Sequence, residues 1–274
     1  MKYLATDLDG TLFYPRDKKE MICKENLSFI RDFIDQGNKL ILVSGRSLTY
    51  CKQVERRINR DVILMCYNGA IINEKDNDIY DFSIENDVAK DIIEESFTDS
   101  KIKGVFIMTE NGVFVKARRN NIIVKKLSQI YYEGQKVYAE KFHFDNKSYE
   151  FELKNGKIHK IMLFFGISPK SRANAREYNK ILRERCEYLE SSWSNNTIEL
   201  TNKHCSKGNA LLKYANIKNI NPNDIYVVGD SGNDISMFKD FKENSFCMSH
   251  SQKSVKKYAK HIIDKFIDLK KYLF

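Results

Sequence analysis

Apolar residues along this chain fall into short solid runs that alternate with stretches of helical spacing. Residues 2–6 form a brief apolar run, read as a buried strand, that stops at Asp7-Leu8-Asp9-Gly10-Thr11. Leu27, Ile30, Phe33 and Ile34 then recur on one helical face within residues 25–36, and Gly37 follows as a stop. Leu40-Ile41-Leu42-Val43 predicts a second buried strand ending at Ser44-Gly45-Arg46. An amphipathic helix is expected over residues 48–58, and a third strand over residues 62–66 runs into Tyr67-Asn68-Gly69-Ala70. Strand, helix, strand, helix, strand is the signature of a parallel sheet with crossover helices.

After Ala70 the texture changes. Ile71-Ile72-Asn73 and Ile79-Tyr80 flank Asp76-Asn77-Asp78, which predicts a hairpin. A helix is expected over residues 88–97. Asn111-Gly112 between two apolar runs predicts another hairpin. Residues 149–153 and 160–165 read as strands, and residues 170–186 as a helix begun after Ser168-Pro169. Mixed helices and hairpins suggest an α+β insert over residues 83–195, with residues 1–82 and 196–274 as the core. The parallel pattern resumes with a helix at Lys207-Gly208 and a buried run, Ile225-Tyr226-Val227-Val228, ending at Gly229-Asp230-Ser231-Gly232-Asn233-Asp234. A strand at residues 245–248 and a terminal helix at residues 265–273 complete the expected fold. The fold class is therefore α/β, a Rossmann-like parallel-sheet core interrupted by an α+β domain.

Composition refines this picture. The 274 residues, 42% hydrophobic and 30% charged, belong to a folded protein rather than a disordered one. The net charge of +9 suggests nucleic acid, but its distribution opposes that. Residues 84–195 carry 20 basic and 16 acidic side chains and the remainder 26 and 21, with no basic block or arm. No apolar run reaches membrane-spanning length, and acids at Asp7 and Asp9 interrupt the N-terminus before a signal-peptide core forms. A cytoplasmic protein is expected, without nucleic-acid or membrane partners. The six cysteines have no C-x-x-C or zinc spacing and read as buried free thiols.

Candidate chemistry gathers where open parallel sheets bind ligands, beyond the carboxyl ends of the strands. Asp7 and Asp9 leave one strand on the same side, with Leu8 turned away. Ser44 leaves the second strand, and Asp230 and Asp234 a later one. Such a carboxylate cluster calls for a divalent cation, and Mg²⁺ bridges carboxylates to a substrate phosphate. Asp7 and Asp230 are the natural side-chain ligands, with a backbone carbonyl at Asp9. Ser44 and the following helix start offer donors to a phosphate, and Lys207 offers a cation. Asp7 and Asp9 supply a nucleophile and an acid/base pair. Each motif alone has a plainer reading: a turn, a helix cap or a solvated lysine. Their order along the chain favours chemistry.

Asp7-Leu8-Asp9-Gly10-Thr11, Ser44-Gly45-Arg46, Lys207-Gly208 and Gly229-Asp230-Ser231-Gly232-Asn233-Asp234 resemble the four motifs of the haloacid dehalogenase-like superfamily. The insert together with Tyr67-Asn68-Gly69-Ala70 resembles its Cof-type branch with a type IIB cap. The resemblance implies a Mg²⁺-dependent phosphatase of small phosphorylated metabolites, sugar phosphates or phosphorylated cofactors, acting through an aspartyl phosphate. It implies Asp7 as nucleophile and Asp9 as general acid/base. Ser44, Gly45, Lys207 and Asn233 are then the phosphate-binding set, and Asp7, Asp9, Asp230 and Asp234 the metal set. A phosphomutase, or a silent regulatory protein with the same fold, are the alternatives. An oligomeric state does not follow from it. Met248-Ser249-His250-Ser251 departs from the Gly-Asn-Ala that often follows this strand in such relatives. Trp193, Tyr131, Tyr132, Phe142, Phe144 and Tyr149 are candidates for a pocket in the insert, although packing roles are favoured. His143, His159 and His204 lack ligand spacing.

Overall fold

In a computed structural model of the chain, which describes residues 1–15, 20–118, 141–194 and 196–274, the first apolar run is β1 (Tyr3–Thr6), buried at all four positions. Helix α1 (Lys24–Asp35) buries Leu27, Phe29, Ile30 and Phe33, and stops before Gly37 at φ 84°, a left-handed turn that costs glycine nothing. Strand β2 (Lys39–Val43) leads to α2 (Leu48–Ile58). The Ser47 hydroxyl caps α2 by accepting from the Tyr50 N–H, and Asn59 closes it in the left-handed conformation. Strand β3 (Ile63–Cys66) ends in a tight turn, and the expected hairpin follows as β4 (Ile71–Glu74) and β5 (Asn77–Asp81). Its turn sits at Lys75-Asp76, both at positive φ, one residue ahead of the expected site.

The next elements are α3 (Asn86–Thr98), β6 (Gly104–Thr109), β7 (Gly112–Ala117), β8 (Phe142–His143), α4 (Asn146–Asn155), β9 (Lys160–Phe164), α5 (Pro169–Arg185), β10 (Leu189–Ser194) and β11 (Thr197–Asn202). They build a six-stranded sheet in the order β10-β11-β9-β6-β7-β8. All its pairings are antiparallel except β7 with β8. Ile93, Val105, Ile107, Tyr149, Ile161, Leu163 and Ile198 fill its core. The strand expected at residues 149–153 is instead part of α4. Asp145 caps that helix through the Ser148 N–H, and Tyr149, Glu152 and Leu153 turn inward at helical spacing.

The chain then returns through α6 (Lys207–Lys218), β12 (Ile225–Gly229), α7 (Ile235–Asp240), β13 (Ser245–Met248), α8 (Lys253–Lys256), β14 (His261–Ile263) and α9 (Lys270–Leu273). The expected terminal helix is thus only one short turn, preceded by a tighter turn at Phe266–Leu269. An eight-stranded sheet runs β14-β13-β12-β1-β2-β3-β4-β5. From β14 to β3 it is parallel, and the β4–β5 hairpin extends it antiparallel. Ala5, Ile41, Val43, Leu211, Val227 and Phe238 pack together on it. Full burial of a side chain such as Leu211 or Phe238 contributes roughly 1.5–3 kcal/mol.

Two compact units result, one of Met1–Asp81 with Ser206–Phe274 and one of Phe82–Cys205. The division expected at residue 195 falls between β10 and β11, which pair along their whole length. That hairpin keeps both strands in the six-stranded sheet, and the units part at Cys205 and Ser206 instead. Among the described residues, no helix is long and apolar enough to cross a membrane.

Candidate active site

Strand β1 sits between β12 and β2, with Thr6 in register with both Val228 and Leu42. Its two neighbours arrive from opposite ends of the sequence, so the crevice beyond its carboxyl end is a topological switch point. Asp7 stays extended there, its N–H bonded to the Val228 carbonyl at 3.0 Å. The chain then makes a wide turn over Leu8–Leu12 with Gly10 at φ 82°. A Cβ on Gly10 would lie 2.6 Å from Asp230 Oδ2. Glycine is therefore required twice, by the backbone angle and by the carboxylate pressed against it.

Four charged side chains meet in this crevice. Lys207, at the start of α6, is fully buried and donates to Asp7 Oδ1 at 2.5 Å and to Asp234 Oδ1 at 2.6 Å. Asp234 Oδ2 accepts from the N–H groups of Asp230 and Ser231, both at 2.9 Å. Asp230 Oδ1 accepts from the Thr11 hydroxyl at 3.2 Å. Carboxylate oxygens of Asp7, Asp230 and Asp234 lie within 4.8 Å of one another. Burial acts against the charge on Lys207, but Asp234 and Asp7 outweigh it and hold the ammonium above its usual range. Burial pushes the Asp7 carboxyl well up, opposed by Lys207 and helped by Asp234 and Asp230. Asp230 is raised to about 6, by burial first and the Asp234 charge second. Three carboxylates with one ammonium leave a local excess of negative charge.

That donor set fits a hard divalent cation such as Mg²⁺. Asp234 has both oxygens committed to Lys207 and to its own loop. Asp7 Oδ2 and Asp230 Oδ2 accept no hydrogen bond among the described residues and are the free donors of the cluster.

The remaining expected residues lie at the same edge. Asp9 turns outward, half exposed, into a two-point ion pair with Arg46 at 2.8 and 3.1 Å. The Arg46 guanidinium also covers the Tyr50 ring at 4.9 Å. Buried Ser44 accepts from the Arg46 N–H at 3.2 Å, which shapes the Ser44-Gly45-Arg46 loop. Asn233 donates from Nδ2 to Asn68 Oδ1 at 3.2 Å. Three participants were not singled out from sequence: Thr11, Asn68 and His250. The His250 imidazole lies 3.9 Å from Asp230 Oδ2 and against the Tyr14 ring, 4.1 Å between centroids. Thr11 and Asn68 stand inside motifs of the resemblance and His250 in the stretch that departs from it, but only tertiary contact assigns the three their partners.

In the other unit, Tyr149 is fully buried and packs in the core. Phe142 and Phe144 stack at 6.2 Å, and Arg176 covers Trp193 at 5.9 Å. Tyr131 and Tyr132 lie outside the described residues. His143 stacks on Phe114 at 4.5 Å, His159 is fully buried, and His204 lies 6.1 Å from Phe82. None of the three belongs to a metal-binding group among the described residues. All six cysteines are free thiols, four of them buried.

Fold and site so far define a class: an α/β protein with a carboxylate and ammonium cluster at the switch point of a parallel sheet. A family model described as haloacid dehalogenase-like hydrolase matches residues 4–267, and the chain belongs to that family. It is 27% identical over 257 residues to a protein of Buchnera aphidicola, covering 93% of this chain and 88% of that one. It is 25% identical over 256 residues to a 5-amino-6-(5-phospho-D-ribitylamino)uracil phosphatase of Bacillus subtilis, covering 87% and 85%. A haloacid dehalogenase-like hydrolase structure from B. subtilis superposes with a TM-score of 0.80 at 21% identity over all of both chains.

Proposed function

We propose that this hydrolase is a Mg²⁺-dependent phosphatase of small phosphorylated metabolites that works through an aspartyl phosphate on Asp7. One observation carries the reading: the buried Lys207 ammonium bonded at 2.5 Å to Asp7, with Asp230 and Asp234 beside it. An Asp7 oxygen attacks phosphorus while the bond to the leaving oxygen breaks, and Asp9 delivers a proton to that oxygen. Asp9, now a carboxylate, takes a proton from water; the water oxygen attacks phosphorus, phosphate leaves, and Asp7 is restored. The Ser44 hydroxyl, the Gly45 N–H and the Asn233 amide hold non-bridging oxygens, and Lys207 neutralises charge on Asp7 and the phosphate. Asp7 and Asp230, with the Asp9 carbonyl, would hold Mg²⁺, and Asp234 braces the loop behind them. When bound, the ion supplies the positive charge that lets an anionic nucleophile approach an anionic ester.

The unit Phe82–Cys205 is proposed as the type IIB cap that chooses the leaving group. Two curated relatives carry the name of a phosphatase for a ribitylamino-pyrimidine phosphate. That compound joins sugar phosphates and phosphorylated cofactors on a substrate panel. With p-nitrophenyl phosphate, hydrolysis is expected with Mg²⁺ and is expected to vanish with EDTA. With Asp230 raised to about 6, protons compete with the cation below that pH. The half-saturating Mg²⁺ concentration is therefore expected to climb as pH falls from 7 to 5. Phosphate release that is indifferent to EDTA would sink the metal reading.

Gly10→Ala tests the crevice. Its Cβ meets the Asp230 carboxylate at 2.6 Å, and φ of 82° adds left-handed strain of about 1–2 kcal/mol. Misplacing a group by about 1 Å costs on the order of 100-fold in rate. A loss of that order in kcat/KM, with weaker Mg²⁺ activation, is expected in steady-state assays.

A further inference from the structure

The turn after β3 carries none of the residues given a chemical role above, yet it touches three loops that do. Tyr67 and Asn68 both adopt left-handed conformations, φ 51° and 58°, followed by Gly69 at 99°. Two consecutive non-glycine residues there are costly and persist only where the surroundings hold them. Backbone bonds do so: the Tyr67 N–H donates to the Arg46 carbonyl at 3.0 Å and the Asn68 N–H to the Ser44 carbonyl at 2.9 Å. Buried Asn68 lies against Gly45, so a Cβ on that glycine would stand 3.0 Å from Asn68 Oδ1. The same oxygen accepts from Asn233 Nδ2, and Asn233 Oδ1 accepts from the Ser231 hydroxyl at 2.6 Å. A Cβ on Gly69 would meet Ala210 Cβ at 2.6 Å and the Ser206 carbonyl at 2.8 Å, so the turn also packs on the first turn of α6, which carries Lys207.

We infer that Asn68 is the positioning residue of the phosphate pocket, its amide oxygen fixing the Asn233 amide while its left-handed backbone fixes the Ser44-Gly45-Arg46 loop. Asparagine suits both tasks. It tolerates the left-handed region better than most residues and carries an acceptor on a short arm. Asn233 Oδ1 is spent on Ser231 and one Nδ2 hydrogen on Asn68, which orients the second hydrogen. The ligand class is a phosphate dianion or a trigonal-bipyramidal analogue of it. The inference rests on the phosphatase reading for its ligand but not for its geometry.

The test separates the side chain from the backbone. Asn68→Gly keeps the left-handed turn and deletes the amide, Asn233→Ala deletes the partner, and the double variant closes the cycle. Two readouts are used: kcat/KM on p-nitrophenyl phosphate, and binding of inorganic phosphate with Mg²⁺ by calorimetry, which needs no turnover. Asn68→Gly is expected to lower kcat/KM about 10- to 30-fold and to weaken phosphate binding by a similar factor, the usual cost of losing one orienting partner. In the Asn233→Ala background the same change is expected to cost under about threefold, because the group it acts through is gone. Additive losses, or phosphate binding by Asn68→Gly equal to wild type, overturn the inference. Wild type that binds phosphate without hydrolysing esters overturns the phosphatase reading and leaves the cycle intact on the calorimetric arm. Wild type that binds no phosphate overturns both.

Discussion

Asn in place of Asp7 is expected to abolish turnover while leaving the protein folded and, without metal, more stable than wild type. The loss of activity follows from the proposed role of Asp7 as nucleophile. An amide oxygen cannot form the covalent ester, and removing a nucleophile costs on the order of 10⁴- to 10⁶-fold in kcat. The gain in stability follows from electrostatics. Asp7 is buried beside Asp234 and Asp230, and both burial and those charges push its carboxyl up. A carboxyl raised in the fold binds its proton more tightly there than in the unfolded chain. Its ionised form therefore costs stability once pH exceeds the ordinary carboxylate range, and the cost grows until the folded group ionises. Asn removes that cost, while its oxygen still accepts from Lys207. At pH 7 in EDTA, a thermal melt is expected to shift up by about 2–4 °C for each kcal/mol relieved. The shift is expected to shrink toward pH 4, where wild type is protonated as well. Mg²⁺ should raise the wild-type midpoint and leave the variant nearly unmoved. An Asp7→Asn enzyme with robust turnover, or one that melts well below wild type in EDTA, contradicts the assignment.

The division between stability and function explains what could be read from the chain. Asp7, Ser44 and Asp230 were legible because each follows a solid apolar run. A buried parallel strand that ends on a polar residue leaves that residue at the carboxyl edge of the sheet. Lys207 was one lysine among many until motif order marked it, because its partner Asp7 stands 200 positions away. Asn68 shows no role in the sequence alone, since its contacts with Gly45 and Asn233 arise only when three loops converge. The signal available was an Asn-Gly pair directly after a buried strand, the composition of a left-handed turn. Residues 149–153 show the opposite failure. Tyr-Glu-Phe-Glu-Leu alternates like a strand, but the Asp145 cap and the inward spacing of Tyr149, Glu152 and Leu153 make it helical. Burial of Glu152 is tolerable there because Thr109 and Asn111 donate to it at 2.8 and 2.9 Å.

Lys207→Met is expected to be the most damaging single change for stability and activity together. Methionine keeps the length and apolar stem of lysine, so the loss is of charge rather than of volume. Lys207 is fully buried and bonds to both Asp7 and Asp234. Without it two buried carboxylates face each other with no cation in contact, and breaking a buried pair costs about 3–5 kcal/mol. The apo melting midpoint is expected to fall on the order of 10 °C at pH 7. Acid should narrow the gap, because protonating Asp7 removes the charge that the methionine leaves unpaired. Activity is expected to fall at least 10³-fold, since in the proposed mechanism the same ammonium neutralises the nucleophile and the bound phosphate. The double variant Asp7→Asn/Lys207→Met decides between charge and packing. If charge governs, replacing Asp7 removes one of the two stranded carboxylates, and Asp7→Asn raises the midpoint more in the Lys207→Met background than in wild type while the double variant stays inactive. If the lysine were only a packing element, Asp7→Asn would raise the midpoint by the same amount in both backgrounds, and the ion-pair account of this core would fail.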